Sequence, residues 1–180
     1  MTERAVVAGV APVVLVMGVA GAGKSTLGAR LAAELGWAFL DADDLHPAAN
    51  IAKMTAGVPL TDADRAPWFA AIGDRIDRWA ASGTPGVVAS SALKRAYRDG
   101  LRDGRPQIEL VYLDGERDLL ATRLSMRTGH FMPPGLLDSQ LATLEPPTGE
   151  EGAIPVDIAR PLDGQIADVL AALRARGYLT

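Results

Sequence analysis

The chain has 180 residues, 48% of them hydrophobic and 22% charged, which suits one globular domain with a buried core. Its formal net charge of −4 argues against a nucleic-acid or anionic-membrane surface, although a small anionic substrate needs only local positive charge. The absence of cysteine excludes disulfides, thiol nucleophiles and cysteine-ligated zinc, and is compatible with a reducing cytosol. We therefore expect a cytoplasmic protein without nucleic-acid or membrane partners.

The first apolar stretch, residues 5–22, follows Arg4 and resembles a secretory signal or a membrane span. It runs directly into Gly23-Lys24-Ser25-Thr26, so cleavage there would destroy the most informative motif of the chain. A buried strand followed by a glycine loop explains the same residues. We expect residues 1–11 to form a flexible tail on a single domain that spans residues 1–180.

Short apolar runs alternate with longer helical patterns, which is typical of βα units and a parallel sheet. The predicted strands are Val13–Met17, Ala38–Asp41, Gly86–Ser90, Ile108–Leu113 and Ile154–Ile158. The predicted helices are Ser25–Leu35, Ala49–Ala56, Asp64–Ala81, Leu93–Asp103, Glu116–Arg127, Pro134–Leu144 and Leu162–Arg176. Gly129 and the Pro133-Pro134 pair predict a mobile loop at residues 128–135.

The segment from Gly18 to Ser25 fits the phosphate-loop pattern G-x-x-x-x-G-K-[ST]. Its glycines let backbone N–H groups face phosphate oxygens, and the following helix adds the partial positive charge of its N-terminus. We expect Lys24 to reach the β- and γ-phosphates and the Ser25 hydroxyl to ligate Mg²⁺. The loop residues predicted to bind ATP are Gly18, Ala20, Gly21, Ala22, Gly23, Lys24, Ser25 and Thr26.

Three carboxylates, Asp41, Asp43 and Asp44, follow the second predicted strand. Because ligands of open parallel sheets bind at the carboxyl ends of strands, Asp41 or Asp43 could face the phosphate loop. There a carboxylate can orient Mg²⁺-bound water or take the proton of an accepting hydroxyl. Helix capping or loop solvation is the alternative, and we favour it for Asp44. The third strand ends in Ser90-Ser91 rather than a Walker B acid, which argues against a motor ATPase or a GTPase.

Basic residues lie in two groups. Arg123 and Arg127 are four residues apart on one predicted helix, so they share a face and can neutralise a transferring phosphoryl group. Arg65, Lys94 and Arg98 lie near strand ends and can hold an anionic substrate; surface solubility is the alternative role for them.

The segments between these motifs resemble the thermoresistant-type gluconokinase family, which is related to shikimate and adenylate kinases. The resemblance covers roughly residues 13–175 and is most specific at Asp41-Ala42-Asp43-Asp44-Leu45-His46-Pro47 and Ser91-Ala92-Leu93-Lys94. Other matching segments are Asn50–Met54, Gly57–Leu60, Asp62 to Trp68, Tyr97–Asp99 and Gly129–Phe131. Ser90 departs from the pattern, since many members have Cys there.

The resemblance implies transfer of the ATP γ-phosphate to the 6-hydroxyl of D-gluconate by a homodimer. It implies a three-layer α/β P-loop fold with a five-stranded parallel sheet in the order 2-3-1-4-5, helices on both faces, and a lid at residues 128–135. Shikimate kinase, nucleoside-monophosphate kinase and a regulatory ATPase remain alternatives; a GTPase would carry an Asn-Lys-x-Asp motif, which the sequence lacks.

The resemblance also implies roles for individual side chains. Asp41 would lie near Mg²⁺ with Ser25, Arg123 and Arg127 would lie over the nucleotide, and Arg160-Pro161 would lie beside adenine. The residues implied to bind the substrate are Asp43, His46, Arg65, Ser91, Lys94, Arg98 and His130. Lys24, Asp43 and Arg127 would act in catalysis.

Overall fold

The structure, a computed structural model, describes residues 10–126 and 135–179. Most of the predicted N-terminal tail (1–11) and of the predicted lid (128–135) lies outside these ranges, and both stay predictions. Among the described helices, none is long and apolar enough to cross a membrane.

Five parallel strands form one sheet in the order β2-β3-β1-β4-β5, which confirms the predicted fold. Every residue of the two central strands β1 and β3 is buried, as expected of continuous apolar runs covered on both faces. The observed strands are β1 (Val13–Met17), β2 (Ala38–Asp41), β3 (Gly86–Ala89), β4 (Ile108–Asp114) and β5 (Ile154–Asp157).

The helices agree with prediction to within a few residues at each end. They are α1 (Lys24–Leu35), α2 (Ala48–Thr55), α3 (Asp62–Ala81), α4 (Arg95–Arg102), α5 (Arg117–Ser125), α6 (Leu136–Thr143) and α7 (Leu162–Ala175). Two short 3₁₀ turns that were not predicted lie at Ala42–Leu45 and Gly149–Glu151. Helix α3 begins two residues earlier than predicted because the side chain of Thr61 and that of Asp64 form a reciprocal capping box.

Helices α1 and α3 cover opposite faces of the sheet. Val87 of β3 packs against Gly28 of α1, whereas the adjacent Gly86 faces the indole ring of Trp79 on α3. Since successive residues of a strand point to opposite faces, these contacts place one helix on each side. The carboxyl ends of β1, β2 and β3 are therefore left open between the two layers, and the phosphate loop and Asp41 extend from them.

Replacing Gly86 by Ala tests this close approach between strand and helix. A Cβ atom at Gly86 would lie 2.4 Å from Trp79 Cζ3, so the helix or the strand must shift. We expect Gly86→Ala to lower the free energy of unfolding by about 1–3 kcal/mol, measured by urea denaturation.

Gly100→Ala is the matched control, since Gly100 lies in α4 with nothing near the added methyl group. That change should leave stability equal or raise it by up to about 1 kcal/mol, through helix propensity alone. Equal effects of the two substitutions would contradict the packing described at Gly86.

Candidate active site

The phosphate loop joins β1 directly to α1. Gly21 and Gly23 have φ angles of +82° and +94°, in the left-handed region that favours glycine, and α1 begins at Lys24. A Cβ on Gly21 would lie 2.9 Å from Leu124 Cγ, because α5 packs closely over the loop. The loop therefore presents the N-terminus of α1, the geometry of a phosphate site, between β1 and α5.

Ser25 and Asp41 meet beside the loop, as predicted from their positions. The Ser25 hydroxyl donates a hydrogen bond of 2.5 Å to Asp41 Oδ2, and Asp41 Oδ1 accepts one of 3.1 Å from the Asp43 N–H. Mg²⁺ prefers oxygen ligands and usually keeps several waters and substrate phosphates around one or two carboxylates. One hydroxyl and one carboxylate next to a phosphate site therefore fit this ion, and the described residues contain no larger cluster of His, Cys, Asp and Glu.

Predicted nucleotide-binding residues line one pocket of about 470 Å³. Its walls include Gly21, Ala22, Gly23 and Thr26 of the loop and start of α1, Arg123 of α5, and Arg160-Pro161 after β5. Arg123 Nη2 donates a 2.6 Å hydrogen bond to Ile158 O, which fastens α5 to the segment after β5. The structure thus brings together residues that the sequence places more than a hundred positions apart.

The 3₁₀ turn after β2 forms the other side of the site. His46 Nε2 lies 4.0 Å from Asp43 Oδ1, and the His46 ring stacks on Trp68 at 4.2 Å between centroids. Trp68 Nε1 donates a 2.6 Å hydrogen bond to Ala42 O. Trp68 therefore fixes both the turn that carries Asp43 and the plane of the imidazole.

The surroundings of Asp43 and His46 change their proton affinities in opposite directions. Water reaches 78% of the Asp43 side chain. The remaining desolvation, together with the charge of Asp41, nevertheless raises the pKa of Asp43 against the opposing effects of Lys24 and His46. Burial, with a smaller contribution from Arg65, lowers the pKa of His46, although Asp43 opposes the shift. Asp43 is thus a stronger base than an ordinary aspartate, and His46 is neutral at pH 7.

Two predicted substrate cations, Arg65 and Lys94, converge on Asp62 at the start of α3. Lys94 Nζ lies 3.1 Å and Arg65 Nη1 3.6 Å from Asp62 Oδ1, and the Tyr97 hydroxyl also donates to this carboxylate. Hydrogen bonds from Tyr97 and then Lys94 lower the pKa of Asp62. The Asp62 carboxylate therefore holds two cations side by side.

Arg98 was predicted to contact the substrate directly, but the structure buries its side chain. Its side chain is 0% exposed and pairs with the equally buried Glu151 through hydrogen bonds of 2.6 and 2.8 Å. Its Nη1 donates to the carbonyl oxygens of Ala92 (3.2 Å) and Leu93 (3.0 Å). Ala92 has a φ of +39°, unusual for a residue with a side chain. Arg98 thus fixes the strained segment between Ser91 and Lys94 instead of reaching the cleft.

Ser91 is half-buried and lies two residues after the end of β3, at the start of this segment. Two further predicted site residues, Arg127 and His130, lie outside the described residues, and their roles stay predictions.

Comparison with known proteins assigns the family. A protein family described as an AAA domain matches residues 13–147. The gluconokinase of Gluconobacter oxydans (strain 621H) is 46% identical over 176 residues, covering 97% of this chain and 99% of that protein. The thermoresistant gluconokinase of Escherichia coli (strain K12) is 40% identical over 161 residues, covering 89% and 92%. The crystal structure of a gluconokinase from Sinorhizobium meliloti 1021 is 49% identical with a TM-score of 0.82, covering 91% and 92%.

The chain belongs to the gluconokinase family. It is accordingly a P-loop kinase, as the phosphate loop predicted.

Sequence reasoning gave no role to two side chains of this gluconokinase-family site. Asp62 was recognised only as part of a matching segment, and its ion pair with Lys94 joins residues 32 positions apart. In the sequence, Trp68 is one apolar residue of a predicted helix. Only the folded structure shows that its indole N–H donates a hydrogen bond to the carbonyl oxygen of Ala42. The Thr61–Asp64 capping box at the start of α3 is the one local pattern that brackets Asp62.

Arg98→Met tests the buried ion pair. Removing one partner leaves the Glu151 carboxylate buried and unpaired, so we expect the free energy of unfolding to fall by about 3–5 kcal/mol in urea denaturation. The double variant Arg98→Met/Glu151→Met should recover much of that loss, because no charge is then left buried.

Arg117→Met is the surface control, since Arg117 and Asp138 pair with 57% and 59% of their side chains exposed. Its cost should stay below about 1 kcal/mol. An Arg98→Met variant as stable as this control would contradict a structural role for the pair.

Proposed function

We propose that the protein transfers the γ-phosphoryl group of ATP to the 6-hydroxyl of D-gluconate. The observation that carries this proposal is the connection of Asp43 to the phosphate loop through Asp41, with His46 beside Asp43. Asp62 holds the two cations Arg65 and Lys94 together for an anionic group. Gluconokinases that match this chain over nearly their whole length support the same substrate. The alternatives, shikimate kinase, nucleoside-monophosphate kinase and a regulatory ATPase, are not favoured.

The phosphate side of the reaction rests on residues of the loop and α5. Lys24 binds the β- and γ-phosphate oxygens, and Arg123 lies over the nucleotide, where both stabilise charge that develops in the transition state. Arg160-Pro161 contacts adenine in the pocket after β5. Ser25 and Asp41 would hold Mg²⁺, which would neutralise phosphate charge when bound.

On the acceptor side, Asp43 binds the 6-hydroxyl and takes its proton. The hydroxyl oxygen then forms a bond to the γ-phosphorus as the bond to the β–γ bridging oxygen breaks and ADP leaves. The raised pKa of Asp43 suits this task, because a stronger base shares the proton more readily in the transition state.

The remaining substrate contacts follow from the chemistry of a linear sugar acid. The carboxylate binds the Arg65 and Lys94 cations in place of part of their interaction with Asp62. The hydroxyl groups bind His46 and Ser91, which can both donate and accept.

Further features of the proposal rest on the family resemblance alone. Arg127 contacts the transferring phosphoryl group. The segment 128–135 closes over ATP, and His130 of this segment contacts the substrate. The protein acts as a cytoplasmic homodimer.

Asp43→Asn tests the proposed base. The change keeps the size of the side chain but removes its proton affinity, so kcat should fall by roughly a hundredfold or more. The dissociation constant for ATP should stay within about twofold, since Asp43 makes no proposed contact with the nucleotide. In the wild type, kcat/KM should fall as the pH drops through the raised pKa of Asp43, at a higher pH than an ordinary aspartate gives.

Asp44→Asn is the control for that experiment, because Asp44 is the exposed neighbour with no proposed contact to substrate or nucleotide. Its kcat should match the wild type, and its pH profile should move only slightly to lower pH, since the charge of Asp44 contributes least to the raised pKa of Asp43. If Asp43→Asn instead loses ATP binding while kcat at saturation survives, Asp43 belongs to the metal site and its proposed role is wrong.

A panel of acceptors tests the substrate. Glucose lacks the carboxylate that Arg65 and Lys94 bind, and a lost charged hydrogen bond lowers kcat/KM by about tenfold to over a hundredfold relative to gluconate. Lys94→Met should reduce the preference for gluconate over glucose, chiefly by lowering kcat/KM for gluconate. ADP release at fixed ATP and Mg²⁺ measures all of these rates. Faster turnover of AMP or shikimate than of gluconate would overturn the proposal.

A further inference from the structure

The side chain of Gln140, on α6, reaches the phosphate loop. Its Oε1 atom accepts a 2.6 Å hydrogen bond from the backbone N–H of Ala20, a residue 120 positions earlier in the chain. Ala20 is 8% exposed and Gln140 is half-buried, so water competes weakly for this contact. The proposed reaction assigns no role to Gln140.

The hydrogen bond acts on a peptide unit that also contacts Lys24. The N–H of Ala20 and the C=O of Val19 belong to one planar peptide group, so fixing the direction of one fixes the other. Val19 O accepts hydrogen bonds from Lys24 Nζ at 3.1 Å and from the Ala22 N–H at 3.2 Å. Gln140 and Lys24 thus hold the two ends of the same peptide plane.

Several contacts fix the position of helix α6, and they thereby fix the position of Gln140 relative to the phosphate loop. Leu137 is buried in the core, and Asp138 pairs with Arg117 of α5. Just after the helix, the N–H of Glu145 donates to Leu93 O at 2.9 Å and its carboxylate accepts from the Arg95 N–H at 2.6 Å. Helix α6 therefore contacts the phosphate loop, and the residue Glu145 that follows it contacts the segment that carries Lys94.

We infer that Gln140 is a positioning residue for phosphoryl transfer, which acts on Lys24 through the Val19–Ala20 peptide. Rotation of this peptide would withdraw the carbonyl that holds the lysine and present it where the Ala20 N–H now points. The catalytic part of this inference rests on the proposed kinase reaction, whereas its effect on nucleotide binding does not require gluconate.

A neutral amide suits this position for an electrostatic reason. Glutamine offers a carbonyl acceptor without net charge, whereas a carboxylate would accept the same hydrogen bond but add a negative charge beside a phosphate site. Methionine has a similar length and only a weak acceptor, so it removes the hydrogen bond with little change of shape.

The test compares Gln140→Met and Gln140→Glu with Ser139→Ala, an exposed change one residue away on the same helix. We expect Gln140→Met to raise the dissociation constant for ADP, measured by calorimetry, by roughly threefold to tenfold. We expect kcat to fall by the same factor, which is the effect of one lost hydrogen bond. The KM for gluconate should change by less than about twofold, a split that a general structural defect would not give. Ser139→Ala should match the wild type in each measurement.

Gln140→Glu separates the hydrogen bond from the charge. Its melting temperature without nucleotide should equal that of the wild type, because the acceptor is kept. Its ADP affinity should fall at low ionic strength and partly recover in high salt, as expected of screened repulsion. In amide NMR spectra, the Ala20 N–H signal should move upfield in Gln140→Met and stay downfield in Gln140→Glu.

Coupling to Lys24 is measured by a double-mutant cycle. If Gln140 acts through Lys24, Gln140→Met should lower kcat much less in a Lys24→Met background than in the wild type. Additive effects, or an unchanged Ala20 signal in Gln140→Met, would overturn the inference. If gluconate is not turned over while the ADP affinities change as expected, the proposed substrate fails and the positioning role stands.

Discussion

The carboxylate of Asp41 connects the two halves of this site. One of its oxygens accepts from the Ser25 hydroxyl in the phosphate loop, and the other accepts from the Asp43 N–H in the turn on the acceptor side. A parallel sheet makes this possible because β1 and β2, separated in the sheet only by β3, end at the same edge. The position of Asp43 relative to the phosphate loop is thus set by a strand end and two hydrogen bonds.

The acceptor side is held by charge pairs that differ strongly in burial. Asp62 gathers Arg65 and Lys94 at a partly exposed position, where a substrate carboxylate can compete for the cations. Glu151 holds Arg98 in a fully buried pair, where competition by a ligand is excluded. The exposed pairs of Asp62 can exchange one partner for a substrate group. The buried Arg98–Glu151 pair keeps its partners and holds the strained backbone at Ala92 in place.

The nucleotide side depends more on backbone than on charge. Left-handed glycines, the N-terminus of α1 and the close contact of α5 with Gly21 shape the loop, while Arg123 ties α5 to Ile158. The side chain of Gln140, from the distant helix α6, accepts a hydrogen bond from one peptide N–H of the loop.

The sequence by itself determined the strands, the helices and the phosphate loop, because these depend on residue patterns that span a few turns of chain. The sheet order was implied by the family resemblance. The position after β2 indicated Asp41 or Asp43 beside the phosphate loop, and the structure shows Asp41 bonded to Ser25. Only the tertiary structure decided that Arg98 is buried against Glu151, 53 residues away, and that Gln140 contacts Ala20, 120 residues away. Those contacts leave no local pattern, because an arginine or glutamine on a short helix looks the same in sequence whether the fold exposes it or buries it.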